Sequence, residues 1–224
     1  MNQENVRTSS SVEAALDAVL EVVTADLSRE ADWLELLAQL EYIGCRKILR
    51  AVPFDSVTAD VLRHAADEAS HASILKQAAE QVRSSTGDVR ERSWGELPLA
   101  THGWEYFREL DRRVSTLESV QELSYPAVSW AVEQRALWLY PRYLERTENE
   151  TVRRAVRLIL AQEERHNRHF EGVFLSPDAR SEAADVEAAL WTELVTKVRA
   201  TLEEGPSPTI HFPRSENEDI RATD

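Results

Sequence analysis

The sequence predicts an all-α fold: a four-helix bundle with a long crossover and additional flanking helices. Three observations carry this. Ala, Leu, Glu and Arg dominate the 224 residues and only 6 are glycine, a composition that favours helix. Apolar residues recur at helical spacing in every long segment. The prolines fall mostly near breaks in those patterns, where a helix must stop.

The elements follow in order. Residues 1–10 read as a disordered N-terminus. An amphipathic helix is expected over 11–27, with Val12, Leu16, Val19, Leu20 and Val23 on one face. Ser28 is the expected cap of the first core helix, 28–51, which Pro53 ends. Asp55 or Ser56 opens the second core helix, 56–85. The short link makes these two helices antiparallel neighbours. Residues 85–100 read as loop and 102–118 as an extra helix. The third core helix covers 124–146 and the fourth 148–174. A last helix runs over about 180–203, after Ser176-Pro177. The tail, 205–224, holds three prolines and many polar residues, which predicts mobility. The chain is thus read as one helical domain over 11–204.

Heptad spacing gives each core helix an inward stripe. The first reads Leu34, Leu37, Glu41, Gly44, Ile48, and the second Val57, Val61, His64, Glu68, His71, Leu75, Ala78. The third reads Trp130, Glu133, Leu137, Tyr140, Leu144. The fourth reads Val152, Val156, Ile159, Glu163, His166, Phe170, Val173. Glutamates and histidines on such stripes are costly unless something compensates them.

Their spacing says what does. Glu68-Ala69-Ser70-His71 and Glu163-Glu164-Arg165-His166 are both Glu-x-x-His. Each follows a lone inward glutamate, Glu41 and Glu133, at a similar interval. Residues i and i+3 share a helix face, so one Glu-x-x-His can reach one ion. A single such motif is a weak signal in a chain this rich in Glu. Two of them, with two upstream glutamates, make four carboxylates and two imidazoles. Glu41, Glu68, His71, Glu133, Glu163 and His166 therefore suit a pair of iron or manganese ions inside a four-helix bundle. The long interval from Glu68 to Glu133 is the crossover that joins two antiparallel pairs.

Composition limits the alternatives. A formal charge of −14 argues against general binding to nucleic acid or anionic membrane, since both need a basic footprint. Cys45 is the only cysteine, so there is no intrachain disulfide and no four-cysteine iron site on this chain. No run of apolar residues is long enough to span a membrane, and the N-terminus lacks signal-peptide features. A cytoplasmic protein is expected. A homodimer is expected from the general frequency of twofold assemblies.

These ligand residues resemble those of the ferritin-like di-iron carboxylate superfamily, over about residues 28–174. The six positions each match one ligand of its pattern. Many members place Asp before the Glu of Glu-x-x-His to hold a ligand histidine. By that resemblance Asp67 holds His166, and Gln162, which departs from the acidic version, holds His71. The resemblance implies two iron ions, with Mn/Fe or Mn/Mn as alternatives sharing the same ligands. The extra helices look more like the substrate-oxidising members than like storage ferritins. The expected function is an O2-activating oxygenase or oxidase acting on a small organic substrate, with an external electron donor. The alternatives are a ferroxidase or iron-handling protein, then a rubrerythrin-like peroxidase.

Other inward residues have two readings each. His64 is read as a hydrogen-bonded core histidine, with a proton relay or auxiliary ligand as its alternative. Tyr140 is read as core filling, with a hydrogen-bonding or redox role near the metals as its alternative. Trp130 is read as core, or as the wall of a substrate cavity. Gly44 either opens space beside Glu41 or allows close helix packing. Cys45 is read as a small buried residue.

Overall fold

The computed structural model describes residues 10–90, 92–120, 123–170 and 175–204, and of 164–170 the backbone alone. Among them are seven α-helices and no strand. They are α1 (Ser10–Thr24), α2 (Leu27–Ala51), α3 (Ala59–Ser85), α4 (Ala100–Val114), α5 (Ser124–Arg146), α6 (Glu150–Phe170) and α7 (Pro177–Glu204). Short 3-10 turns at Phe54–Ser56 and Trp94–Glu96 lie in the connections.

Local chemistry sets the helix ends. The carboxylate of Asp26 accepts from Arg29 N at 3.0 Å and starts α2; Ser28, the expected cap, lies inside the helix. Thr58 Oγ1 accepts from Val61 N at 3.3 Å and starts α3. That helix therefore begins later than Asp55 or Ser56, which belong to the 3-10 turn. Asn149 Oδ1 and Ser176 Oγ receive N–H groups in the first turns of α6 and α7. Each acceptor satisfies an N–H that the helix leaves open. At Thr86-Gly87 the chain leaves α3 through a glycine at φ 91°, a conformation that a side chain disfavours. The helix expected over 102–118 sits at Ala100–Val114. Of the fourth core helix expected over 148–174, residues 171–174 lie outside the described residues, as do the two termini.

α2 and α3 pack along most of their length, α3 packs on α6, and α6 on α5. α2 and α5 meet through large side chains: Tyr143 Oη donates to Glu30 of α2 at 3.2 Å, and the Trp33 and Tyr143 rings sit edge to face at 6.5 Å. α7 lies against α1, α4 and α5. Trp191 of α7 reaches Trp33 at 6.5 Å and Tyr106 of α4 at 6.0 Å, so one aromatic cluster ties the outer helices to the core. The inward stripes are buried from Leu34 to Ile48 and from Glu68 to Ala78, apart from half-buried Glu41 and Gly44. Val57, assigned to the stripe of α3, is instead exposed, because it precedes the helix. No helix among the described residues is long and apolar enough to cross a membrane.

Candidate metal centre

Four helices each contribute to one buried cluster. Glu41 comes from α2, Glu68 and His71 from α3, Glu133 from α5 and Glu163 from α6. Glu41, Glu68, His71 and Glu163 each offer a ligand atom, and these atoms lie within 4.8 Å of one another. His64, Glu68 and Glu133 form a second such group, sharing Glu68 with the first. Five of the six residues expected from the sequence are thus brought together. The side chain of the sixth, His166, lies outside the described residues, and with it the partner expected for Asp67.

The geometry of His71 is specific. Its Nδ1 lies 2.9 Å from Glu163 Oε1 and 3.5 Å from Glu41 Oε2. Its Nε2 lies 2.9 Å from Gln162 Oε1. An amide oxygen only accepts, so Nε2 carries a hydrogen and donates to it. That bond orients the ring and leaves Nδ1 to face the carboxylates, the role expected for Gln162.

His64, read as a hydrogen-bonded core histidine, makes its hydrogen bond within the cluster itself. Its Nε2 lies 3.0 Å from Glu133 Oε1 and 3.4 Å from Glu68 Oε1. Tyr140 Oη donates to Glu41 Oε1. Burial, and then the charge of Glu41, hold its phenol well above its ordinary value. Tyr140 is therefore a neutral donor that steadies Glu41.

Gly44 also has a local reason. A Cβ at this position would stand 2.9 Å from Glu68 Oε2, so the missing side chain makes room for that carboxylate. Cys45 is buried, and burial followed by the charge of Glu68 pushes its thiol up. Trp130 is buried core with Arg180 over its ring, and it does not line the cavity described below.

The electrostatics favour a cation. Burial pushes the His71 imidazole down, but hydrogen bonds to Glu163 and Glu41 and the charges of both carry it up to about 12. Burial lowers His64 too, yet Glu133 and Glu68 raise it to about 9. Burial and the charge of Glu41 hold the Glu68 carboxyl well above the usual carboxylate range. Carboxylates this close inside a protein draw in positive charge. Protons answer that field at scattered points, whereas a divalent ion answers it with one centre and releases the protons. Carboxylate oxygens and imidazole nitrogens are the donors that iron and manganese accept. The donor set fits such ions.

The cluster borders a cavity of about 50 Å³. Glu41, Glu68, Glu133 and Glu163 line it, and Leu37, Leu40, Phe107, Val132 and Leu139 supply apolar wall. Gly44, Ala136 and Tyr140 line it too, and three further lining residues went unnoticed in the sequence: Tyr106 of α4, Arg135 of α5 and Trp191 of α7. These residues carry no motif. The available signal was weaker: Arg135 and Glu187 are charges on otherwise apolar, buried faces.

The fold and the cluster together define an all-helical protein with a buried glutamate–histidine cluster that can hold a metal ion. Comparison with protein-family models, with curated proteins and with solved structures gives no match to the chain.

Proposed function

We propose that this protein is a dinuclear iron oxygenase or oxidase that activates O2 to oxidise a small, largely apolar organic molecule. In this reading α2, α3, α5 and α6 form a ferritin-like four-helix bundle, flanked by α1, α4 and α7. The observation that carries it is the pair of donor groups sharing Glu68, placed beside an apolar cavity. A storage or ferroxidase role asks for a polar route for iron ions, and the leucine-lined cavity supports an organic substrate better.

His71, Glu41 and Glu163 would hold one ion, and Glu133 and His64 the other, together with His166 as the sequence pattern expects; Glu68 belongs to both groups. Manganese is accepted by the same donors. When bound, the metal pair supplies the redox chemistry that reduces O2 and oxidises the organic molecule. The chain's own residues do the rest. Gln162 keeps the His71 ring in one orientation through its Nε2–H. Tyr140 holds a proton at its Oη and restricts Glu41 to one rotamer. Leu37, Leu40 and Phe107 exclude water and favour an apolar substrate. Electrons come from a separate reductase.

The test is anaerobic Fe(II) titration of the apoprotein, followed by O2 uptake at increasing iron. Two Fe(II) bound per chain, with uptake that stops after one round, is the expected result. Uptake in proportion to excess iron would make iron the substrate and replace this reading with a ferroxidase. Failure to bind either iron or manganese would overturn the metal centre altogether.

A further inference from the structure

Large apolar side chains gather uncovered at the tip of the α2–α3 pair. Leu49 lies in the last turn of α2 and Leu62 in the first turn of α3; they are 56% and 54% exposed. In the connection between them, Phe54 is 98% exposed and Val57 41%. Single exposed apolar residues are ordinary on a protein surface, but a patch of them marks an interaction site.

The four form one surface. Ile48 of α2 packs in a small cluster with Ala65 and Val61 of α3. Leu49 and Leu62 are the next residues after Ile48 and Val61, and they flank that contact on its exposed side. The 3-10 turn that carries Phe54 caps the same tip. Farther from the tip the crossover covers the two helices, where Trp94 stacks on Tyr42 at 5.0 Å and donates to Glu35. The tip itself has no such cover among the described residues.

Charges of both signs stand beside the patch. Arg50 is exposed and makes no ion pair among the described residues. The Asp55 carboxylate accepts only from Ser56 Oγ among them, at 3.4 Å.

We propose that the α2–α3 tip is the contact surface of a homodimer. A twofold axis brings Phe54 of one copy onto Leu49 and Leu62 of the other, with Arg50 facing Asp55 across the rim. A twofold contact must be self-complementary, because each pair of residues meets twice in opposite sense. An apolar centre flanked by one cation and one anion satisfies that. The area agrees as well. The patch offers on the order of 400 Å² of apolar surface, and an interface of about 800 Å² per partner, a little over half of it apolar, needs about that much. An anionic membrane fits less well, since it calls for a basic rim. Asp55 and Asp60 stand at this tip, in a chain of net charge −14. The contact needs no metal, so it stands or falls apart from the oxygenase reading.

Sedimentation velocity of the full-length, metal-free protein, from about 1 to 100 µM, is the test. Wild type is expected to sediment as a dimer of 25.5 kDa chains. Phe54→Ser/Leu62→Ser should weaken dimerisation at least about hundredfold, since each copy loses two large side chains from the contact. Both positions are exposed, so helix content by circular dichroism should not change. Arg50→Asp and Asp55→Arg should each weaken the dimer about tenfold through like-charge contact. The double charge swap should regain most of that loss.

A wild type that stays monomeric throughout, a dimer indifferent to Phe54→Ser/Leu62→Ser, or charge swaps that do not compensate each other would each overturn the proposal. A monomer that co-sediments with phosphatidylglycerol vesicles, and no longer does so as Phe54→Ser, would assign the tip to a membrane surface instead. If Phe54→Ser/Leu62→Ser does not fold, the charge variants carry the comparison.

Discussion

Gly44 shows how one absent side chain serves the cluster. A Cβ there would press on Glu68 Oε2 at 2.9 Å, and Glu68 belongs to both donor groups. Gly44→Ala separates folding from binding. Without metal, the carboxylate end can swing aside, and replacing a helical glycine with alanine stabilises by up to about 1 kcal/mol. With metal, Glu68 must return to the crowded position. The variant should melt at or above the wild-type temperature as apoprotein, yet bind Fe(II) at least about tenfold more weakly, a loss typical of disturbed ligand support. Calorimetric titration beside thermal melts checks both halves. Equal affinity would show that Glu68 does not need this space. From the sequence alone the two readings of Gly44 stood level, because periodicity places it on the inward stripe without saying which neighbour's atom lies opposite.

Among elements, the junction of α2 with α3 rests on a buried ion network as well as on apolar packing. Glu35 of α2 is fully buried. It accepts from Arg83 Nη1 at 3.3 Å, from Lys76 Nζ at 3.2 Å and from Trp94 Nε1 at 3.2 Å. The network pins both core helices and the 3-10 turn of the crossover at one point. Arg83→Met leaves Glu35 with Lys76 alone for charge, and breaking such a buried pair costs about 3 kcal/mol. Urea unfolding should show that loss, and Glu35→Leu added to Arg83→Met should recover at least half of it. A single variant as stable as wild type would mean that Lys76 alone compensates Glu35. Element positions were largely legible beforehand: among the described residues, helical periodicity located the seven helices to within a few residues of their ends, the end expected for α6 at 174 lying outside them. The exact starts were not, because Ser28 and Asp26 are both good cap residues and only the backbone at Asp26, extended at φ −146°, decides between them. Pro141 lies inside α5, yet the helix runs through it. The buried tyrosines Tyr140 and Tyr143 on either side hold that segment by packing, which outweighs local propensity.

Over the whole molecule, interior glutamates make stability depend on pH. Glu30 is buried, and burial raises its carboxyl above the ordinary value of 4.5 against the lowering effect of hydrogen bonds from Thr147 and Tyr143. A folded pKa above the unfolded one means that the folded state prefers the protonated acid. The stabilisation is complete below 4.5 and is lost as pH rises through the folded value. Glu30→Gln mimics the protonated acid, so its stability relative to wild type should be near level at pH 4, improve as pH rises above 4.5 and level off once the folded value is passed. Urea midpoints at four or five pH values would show it; a constant difference across the range would mean that Glu30 titrates normally.

The division between chain and fold follows from what each can specify. Helical class, the inward stripes and the Glu-x-x-His pairs depend on residue spacing along a helix, which is local. The placement of Glu41, Glu68, His71, Glu133 and Glu163 in one cluster agrees with that spacing, because each sits on a core-facing stripe. The approach of His64 to Glu133 and of Tyr140 to Glu41 depends instead on how helices far apart in the chain turn toward each other. So does the meeting of Arg135, Glu187, Tyr106 and Trp191 at the cavity wall. Those contacts join α2, α3, α4, α5 and α7 across long separations, and nothing in the periodicity of any one helix encodes its rotation against another. Tertiary packing alone sets that rotation, and with it the shape and chemistry of the cavity.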